Sequence, residues 1–332
     1  MRIAVTGASG HVGANLVRAL LERGDYVIAC VHRDERALDG MEVERRPFDL
    51  ADPRSVTEAF RGAEAVFHLA ATISIRGGRL DEARLLATNV QGVHNVLAAC
   101  REQGVGRLVH FSSIHALMGD DPDRVVDETA PLALGPDCAC YDRSKAMGEQ
   151  AVLDAVARGL DAVIITPTSI IGPNDYGPSA QGAALLAMAK SPWLPSVRAG
   201  YDWVDARDVV KGAILALEKG KRGERYILGH GRLTFLEIGE HIRRATGRRA
   251  TRLALPIWLV RCGVPFAGLY SRATGRRQLL TGESLSILGR HLAVSSDKAR
   301  RELGYAPRPF EETFRDTFDW FEAAGMLPRR GR

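Results

Sequence analysis

The sequence predicts an α/β fold, with a doubly wound parallel sheet and a smaller, mixed C-terminal domain. Three observations carry that reading. Apolar, strand-like runs alternate with helix-period segments through the first half of the chain. A glycine-spaced turn joins the first strand to the first helix, and beyond Pro167 the alternation gives way to turn-rich, irregular segments.

Taken in order, the strand-like runs are 3–5, 26–31, 65–69, 107–111 and 162–166. The helical patterns between them are 12–23, 54–60, 83–102 and 144–158. One helix fits between the first two strands, the length a right-handed crossover between parallel strands needs. Beyond Pro167 come turn formers at 172–178 and 191–195, a strand-like 224–228, a helix at 235–246, an apolar segment at 255–270 and an amphipathic helix at 310–324. The expected division is a sheet domain at 1–170, to which part of 203–230 returns, and a mainly substrate-binding domain at 171–332. The second unit is expected over the carboxyl edge of the sheet, where open α/β sheets bind ligands.

The turn after the first strand carries Gly7, Gly10 and Gly13, and a helical pattern follows at once. A helix N-terminus presents unpaired N–H groups and a positive dipole end, so this order of elements builds a phosphate site. Gly7 serves the tight turn, Gly10 lets the backbone approach a pyrophosphate, and Gly13 lets helix and strand pack closely. Gly7, Ala8, Ser9, Gly10, His11, Val12 and Gly13 are therefore the expected phosphate-binding loop of a Rossmann-type dinucleotide fold, with glycines spaced by three where such folds usually carry Gly-x-Gly-x-x-Gly.

Composition narrows the class. The 332 residues are 45% hydrophobic and 26% charged, as in ordinary globular proteins. The net charge of +5 comes from interspersed charges with no aromatic–basic interleaving, so a phosphorylated small ligand is expected and nucleic acid is not. The five cysteines (Cys30, Cys100, Cys138, Cys140, Cys262) lack disulfide-framework and zinc-like spacing, which predicts a reducing, cytoplasmic setting and no metal site. No stretch approaches the length of a membrane span.

Tyr141 and Lys145 lie one helical turn apart, on one face. A free tyrosine, with a pKa of about 10, is a poor proton donor or acceptor at neutral pH, and a lysine cation one turn away is expected to lower it. A buried strand ends in Ser112 and Ser113, at an edge that faces ligand; a serine there can hydrogen-bond a substrate carbonyl oxygen beside the tyrosine hydroxyl. Each signal alone is common: a surface Tyr–Lys pair, or a serine pair ending a strand.

Together they resemble the extended short-chain dehydrogenase/reductase family, in which a Thr-Gly-x-x-Gly-x-x-Gly loop precedes a serine and a Tyr-x-x-x-Lys set. The segments 48–50, 68–71, 88–92, 167–173, 203–208 and 298–305 continue the resemblance over nearly the whole chain. It implies that Tyr141 donates or accepts a proton, that Lys145 tunes it and holds the ribose hydroxyls, and that Ser113 rather than Ser112 binds the carbonyl. It also implies that Asp49 and Leu50 lie at the adenine, that Leu69, Ala70 and Ala71 line the adenosine path, and that Pro167 flanks the nicotinamide. Thr72, Ile114, His115, Thr168, Ser169 and Trp203 are the expected substrate neighbours, although Trp203 can equally pack in a core. Asn89 is as readily structural as functional. A homodimer joined by the helices at 83–102 and 144–158 is implied as well.

The end of the second strand sets cofactor choice. A carboxylate there binds the ribose 2′-hydroxyl and repels a 2′-phosphate, whereas this chain has His32, Arg33 and Arg36. A guanidinium suits phosphate, so NADP(H) is the favoured cofactor, with NAD(H) the alternative. Ile114 and His115 stand where dehydratases of the family carry acidic residues, which argues against dehydration. The expected activity is reduction of a ketone or aldehyde on a bulky, partly apolar small molecule, or oxidation of the matching alcohol, as in enzymes resembling dihydroflavonol reductase and the 3β-hydroxysteroid dehydrogenases. The alternatives are a nucleotide-sugar 4-epimerase, which Arg243, Arg244, Arg248, Arg249 and Arg252 keep in view as diphosphate ligands, and a catalytically silent dinucleotide sensor.

Overall fold

A computed structural model describes residues 1–73, 79–118, 125–191, 196–197, 199–248, 254–255 and 293–328. Its first half reads β1 (Arg2–Thr6), α1 (His11–Glu22), β2 (Tyr26–Val31), β3 (Glu44–Pro47), α2 (Pro53–Ala59), β4 (Ala65–His68), α3 (Arg79–Leu86), α4 (Gly92–Glu102), β5 (Arg107–Phe111), α5 (Cys140–Ala157) and β6 (Ala162–Pro167). The second half adds β7 (Ser169–Ile171), α6 (Ala180–Lys190), β8 (Ser196–Val197), β9 (Gly200–Asp205), α7 (Ala206–Lys219), β10 (Arg225–Leu228), β11 (Gly231–Thr234), α8 (Phe235–Thr246), β12 (Ala254–Leu255), α9 (Asp297–Leu303) and α10 (Phe310–Ala323).

Seven strands form one sheet in the order β10-β6-β5-β4-β1-β2-β3, with every neighbouring pair parallel. The order reverses between β1 and β4, so the carboxyl ends of these two strands open a crevice at the switch point. One apolar layer packs Leu16, Val17 and Leu20 of α1 with Val209 and Ala213 of α7 against one face of the sheet. The other packs Val56 of α2, Val96 of α4 and Val152 of α5 against the opposite face. This is the Rossmann-type doubly wound sheet expected from the alternation. The strand β10 closes its edge although it lies after Pro167, so the segment following Trp203 contributes α7 and β10 to the large sheet.

A three-stranded sheet, β11-β9-β7, makes the smaller part, with α8 and α10 covering it. Thr234 caps α8 through its hydroxyl while Glu237 reaches back to the Thr234 N–H, a reciprocal cap that fixes where the helix starts. Two expectations shift. The single helix at 83–102 is interrupted by a π-helical turn at Ala87–Gln91. The apolar segment 255–270 lies, from residue 256 on, outside the described residues.

Candidate active site

The loop between β1 and α1 is built by backbone packing. Gly7 adopts φ +68°, a conformation that penalises a side chain, and a Cβ there would sit 3.0 Å from the Ala70 nitrogen. Gly10 N–H donates to the Gly7 carbonyl at 3.0 Å and closes the turn. Gly10 is also the N-cap of α1 and supplies no side-chain cap, which leaves the first-turn N–H groups of His11, Val12 and Gly13 turned toward the crevice. The residues fit a dinucleotide: an uncapped helix N-terminus lies behind a turn with no side chain at Gly10. His11 reaches the Pro173 carbonyl at 3.1 Å, and Asn15 donates to the same oxygen at 3.0 Å, tying α1 to the segment after β7.

Thr6 does work that the sequence reading did not assign. Its hydroxyl oxygen accepts from Leu69 N–H and Ala70 N–H, each at 3.1 Å, so its own proton goes to His68 Nδ1 at 2.8 Å. That holds the Leu69–Ala70 backbone across the crevice from the glycine loop. Asp49 caps its own turn through Ala51 N–H, and Leu50 packs on Gly92, where a Cβ would lie 2.5 Å from the leucine Cγ. Asn89, in the π-helical turn, accepts from Thr72 N–H at 2.9 Å and donates to the Thr72 carbonyl and to Ser144 Oγ at 3.0 Å. Ser144 Oγ donates to the Tyr141 carbonyl, so Asn89 joins the segment following β4 to the first turn of α5. Gly148 permits this close approach, since a Cβ there would stand 2.4 Å from the Asn89 carbonyl oxygen.

Ser113 ends β5 and caps a 3-10 turn at Ile114–Ala116, its hydroxyl oxygen accepting His115 N–H at 3.2 Å. Burial pushes the Tyr141 phenol up to about 12; the neighbouring Ser113 hydroxyl opposes this and the nearby Asp142 adds to it. Burial also lowers the Lys145 ammonium to about 8, with the Glu149 carboxylate opposing. Lys145 Nζ donates to the Phe111 carbonyl at 2.8 Å. The expectation of a lowered phenol pKa is therefore corrected for this state: lost hydration of a phenolate outweighs the Ser113 hydroxyl that opposes it, and the tyrosine holds its proton at neutral pH. His115 stands edge-on to the Tyr141 ring, centroids 5.6 Å apart, with Nδ1 on Asp142 Oδ1 at 3.1 Å.

Other expected residues fall in different places. Ser112 is buried with its hydroxyl on Glu149 rather than beside Tyr141. Pro167 and Thr168 are buried at the end of β6, with Ser169 half-buried at the start of β7. Trp203 is 2% exposed and packs within the small sheet's core, its ring against Tyr201. At the end of β2, His32 Nδ1 meets the Phe48 carbonyl at 3.1 Å, and Arg36 is paired with Asp34 at 2.7 Å. Arg33 is exposed beside them. Arg243 and Arg244 are both held by Glu240 on the surface of α8, and Arg248 donates to the Pro328 carbonyl, whereas Arg249 and Arg252 lie outside the described residues. Among the described residues no cluster of His, Cys, Asp and Glu could hold a metal ion, and no helix is long and apolar enough to cross a membrane.

Asp202, in β9, is a half-buried carboxyl pushed up to about 6 by lost hydration, with Thr168, His230 and Arg300 opposing. A carboxyl raised in the folded state contributes stability that is full below its unfolded pKa and lost as the pH rises through 6. Asp202→Asn will therefore raise the melting temperature by a few degrees near pH 8, about 1–2 kcal/mol, and have little effect near pH 4. Thermal melts at the two pH values check this.

A parallel sheet, a glycine loop at an open helix N-terminus and a crevice at the switch point define a Rossmann-type nucleotide-binding protein. The chain belongs to the NAD dependent epimerase/dehydratase family, whose model matches residues 3–229, and within it to the extended short-chain dehydrogenases/reductases. It is 38% identical to sterol demethylase protein B of Methylococcus capsulatus, over 98% of this chain and all of that one. It is 34% identical to a 4-hydroxy-2-methyl-3-oxo-4-farnesyl-3,4-dihydroquinoline-1-oxide ketoreductase of Stigmatella aurantiaca, over 99% of this chain and all of that one. Among solved structures, the crystal structure of gox2253 superposes with a TM-score of 0.83 at 31% identity, covering 98% of this chain and 99% of the other.

Proposed function

We propose that this protein is an NAD(P)(H)-dependent oxidoreductase that reduces a ketone or aldehyde on a bulky, partly apolar small molecule, or oxidises the matching secondary alcohol. The observation that carries the reading is Tyr141 and Lys145 one turn apart on α5, with Lys145 Nζ bonded to the Phe111 carbonyl two residues before Ser113, at the carboxyl edge of the sheet. The loop from Gly7 to Gly13 would hold the pyrophosphate, Asp49 and Leu50 the adenine, Leu69 to Ala71 the adenosine path, Lys145 the ribose and Pro167 the nicotinamide side. The dinucleotide supplies or accepts the hydride. The chain's own groups act on the substrate oxygen: Ser113 and Tyr141 donate hydrogen bonds to it, and Tyr141 releases its proton as negative charge develops there. A phenol that keeps its proton at neutral pH suits the reducing direction. Thr72, Ile114, His115, Thr168 and Ser169 lie where the remainder of a substrate would rest; Trp203, enclosed in the small sheet's core, supports that sheet instead. The relatives whose names specify a sterol and a farnesyl-bearing ketone support a bulky, apolar substrate.

Purified protein screened with NADPH and NADH against steroid, flavonoid, aryl ketone and nucleotide-sugar panels tests the reading. Sustained net NAD(P)H oxidation with a carbonyl compound supports it. Interconversion of nucleotide sugars without net oxidation overturns it in favour of an epimerase, and binding with no turnover on any panel in favour of a sensor. The Glu240 pairing of Arg243 and Arg244 removes much of the expected diphosphate patch from consideration.

NADP(H) is the proposed cofactor because Arg33 is exposed at the end of β2, while the acids that follow it, Asp34 and Glu35, are paired with Arg36 and Arg45. A charge-assisted hydrogen bond to the 2′-phosphate is worth about 1.5–3 kcal/mol, so Arg33→Ala will weaken NADPH binding by about tenfold or more. NADH binding will stay within about twofold, because NADH lacks that phosphate. Fluorescence titration with both nucleotides reads the difference.

A further inference from the structure

Beneath the candidate site, between the sheet and α5, runs a seam of buried polar groups that the proposed chemistry does not use. Glu149 is fully buried on α5, one turn beyond Lys145 and two beyond Tyr141. One carboxylate oxygen accepts the Ser112 hydroxyl, and the other pairs with Arg225 on β10. Arg225, itself 11% exposed, also donates to the Glu128 carbonyl at 3.0 Å. Lys145 grips the adjacent residue of the same strand end, the Phe111 carbonyl. Two residues one turn apart on α5 thus hold two consecutive residues of the segment leading into Ser113.

We propose that Glu149 is a positioning residue: its carboxylate, bonded to the Ser112 hydroxyl, holds the strand end that carries Ser113 against α5 and sets a negative charge one helical turn from Lys145. This rests on the reading that Lys145 contacts the dinucleotide and Tyr141 the substrate. The groups facing Lys145 are few. Tyr141 and Glu149 come from α5 itself, His68 from β4 and His110 from β5. Both histidines are driven neutral by burial, His68 to about 3, so neither offers a counter-charge. Glu149 supplies the negative charge acting on Lys145, against the burial that favours loss of its proton. Arg225 pairs with Glu149 from β10 and is itself held by the Glu128 carbonyl, while the Glu128 carboxylate accepts Ile227 N–H.

The test is the pH dependence of NADPH binding to the full chain, read by fluorescence titration, which does not need turnover. Affinity in the parent falls where Lys145 loses its proton. In Glu149→Gln, which keeps a hydrogen-bonding amide but removes the charge, this break moves to lower pH by about one unit. The variant leaves Arg225 without its partner, so the double variant Glu149→Met, Arg225→Met, which replaces the pair with apolar groups, guards against a folding defect. It is expected to show the same downward movement. Ser112→Ala removes the hydrogen bond but leaves the charge; its break stays at the parent position, whereas its turnover number in NADPH-dependent reduction falls severalfold. A break that stays in place in both Glu149 variants, or that moves equally in Ser112→Ala, overturns the proposal, since a merely structural pair predicts either result. Failure of Tyr141→Phe to impair reduction overturns the catalytic reading instead, because Tyr141 does not enter the binding measurement.

Discussion

Tyr141→Phe will lower net NADPH oxidation with a carbonyl substrate by about two to four orders of magnitude, the range that general acid catalysis contributes. NADPH affinity will remain within about threefold of the parent, because the proposed role sets the phenol against the substrate oxygen rather than the phosphates. The asymmetry follows from the geometry. The phenylalanine ring keeps the contact with His115 and the packing of the first turn of α5, and only the hydroxyl beside Ser113 is lost. The proton that the alkoxide needs then has no donor at that position, while Ser113 still offers one hydrogen bond. Ser113→Ala will therefore cost less in kcat than Tyr141→Phe. With a phenol at about 12, the tyrosine's own titration stays beyond the assay range, and any alkaline fall in rate near neutrality belongs to another group, with Lys145 at about 8 the nearest. Steady-state rates and nucleotide titrations on one preparation separate the two effects, and a variant that retained full turnover would remove Tyr141 from the chemistry.

The sequence was legible where burial imposes a pattern. The strands β1, β2, β5 and β6 are enclosed on both faces and so read as uninterrupted apolar runs, within a residue or two of their observed ends. The strand β3 is Glu44, Arg45, Arg46 and Pro47, an edge strand with alternating exposure and no apolar run, so it could be placed only through the residues that follow it. The helix α6 is rich in alanine and leucine and lacks a polar stripe, which erases its period. The candidate site divides in the same way. Glycine spacing and the Tyr141–Lys145 turn are local in sequence and could be read directly. Glu149 with Arg225, 76 residues apart, and Thr6 with Ala70, 64 apart, join only when the strands are stacked. Choosing Ser113 over Ser112 needed the resemblance; in the structure the Ser112 hydroxyl is engaged by Glu149.

The glycine loop allows the sharpest separation of folding from binding. At Gly13 a Cβ would stand 2.0 Å from the Gly7 carbonyl oxygen, 2.8 Å from its carbon and 2.9 Å from Ala8 Cα. All three are backbone atoms of the turn itself, so no side chain can swing aside, and α1 must move away from β1 or the turn must open. Gly13→Ala is therefore expected to cost about 2–4 kcal/mol of stability, at the upper end for single substitutions, and to abolish measurable dinucleotide binding. Gly10→Ala differs in kind. Its Cβ would meet only the Gly7 carbonyl oxygen, at 3.2 Å, and its φ of −76° suits alanine, so the fold should lose less than about 1 kcal/mol. Yet the added methyl would occupy the face where the pyrophosphate must approach the N–H groups of α1, and binding is expected to weaken by about a hundredfold. Gly24→Ala is the control: no atom lies within 4 Å of its Cβ and only the φ of +79° opposes it, so it will cost about 1 kcal/mol in melting experiments and leave binding unchanged. If Gly10→Ala bound NADPH and NADH as the parent does, the phosphates would not sit on this helix and the cofactor assignment would fall with them. If Gly13→Ala alone lost binding, through loss of the fold, the loop would be a packing device and nothing more.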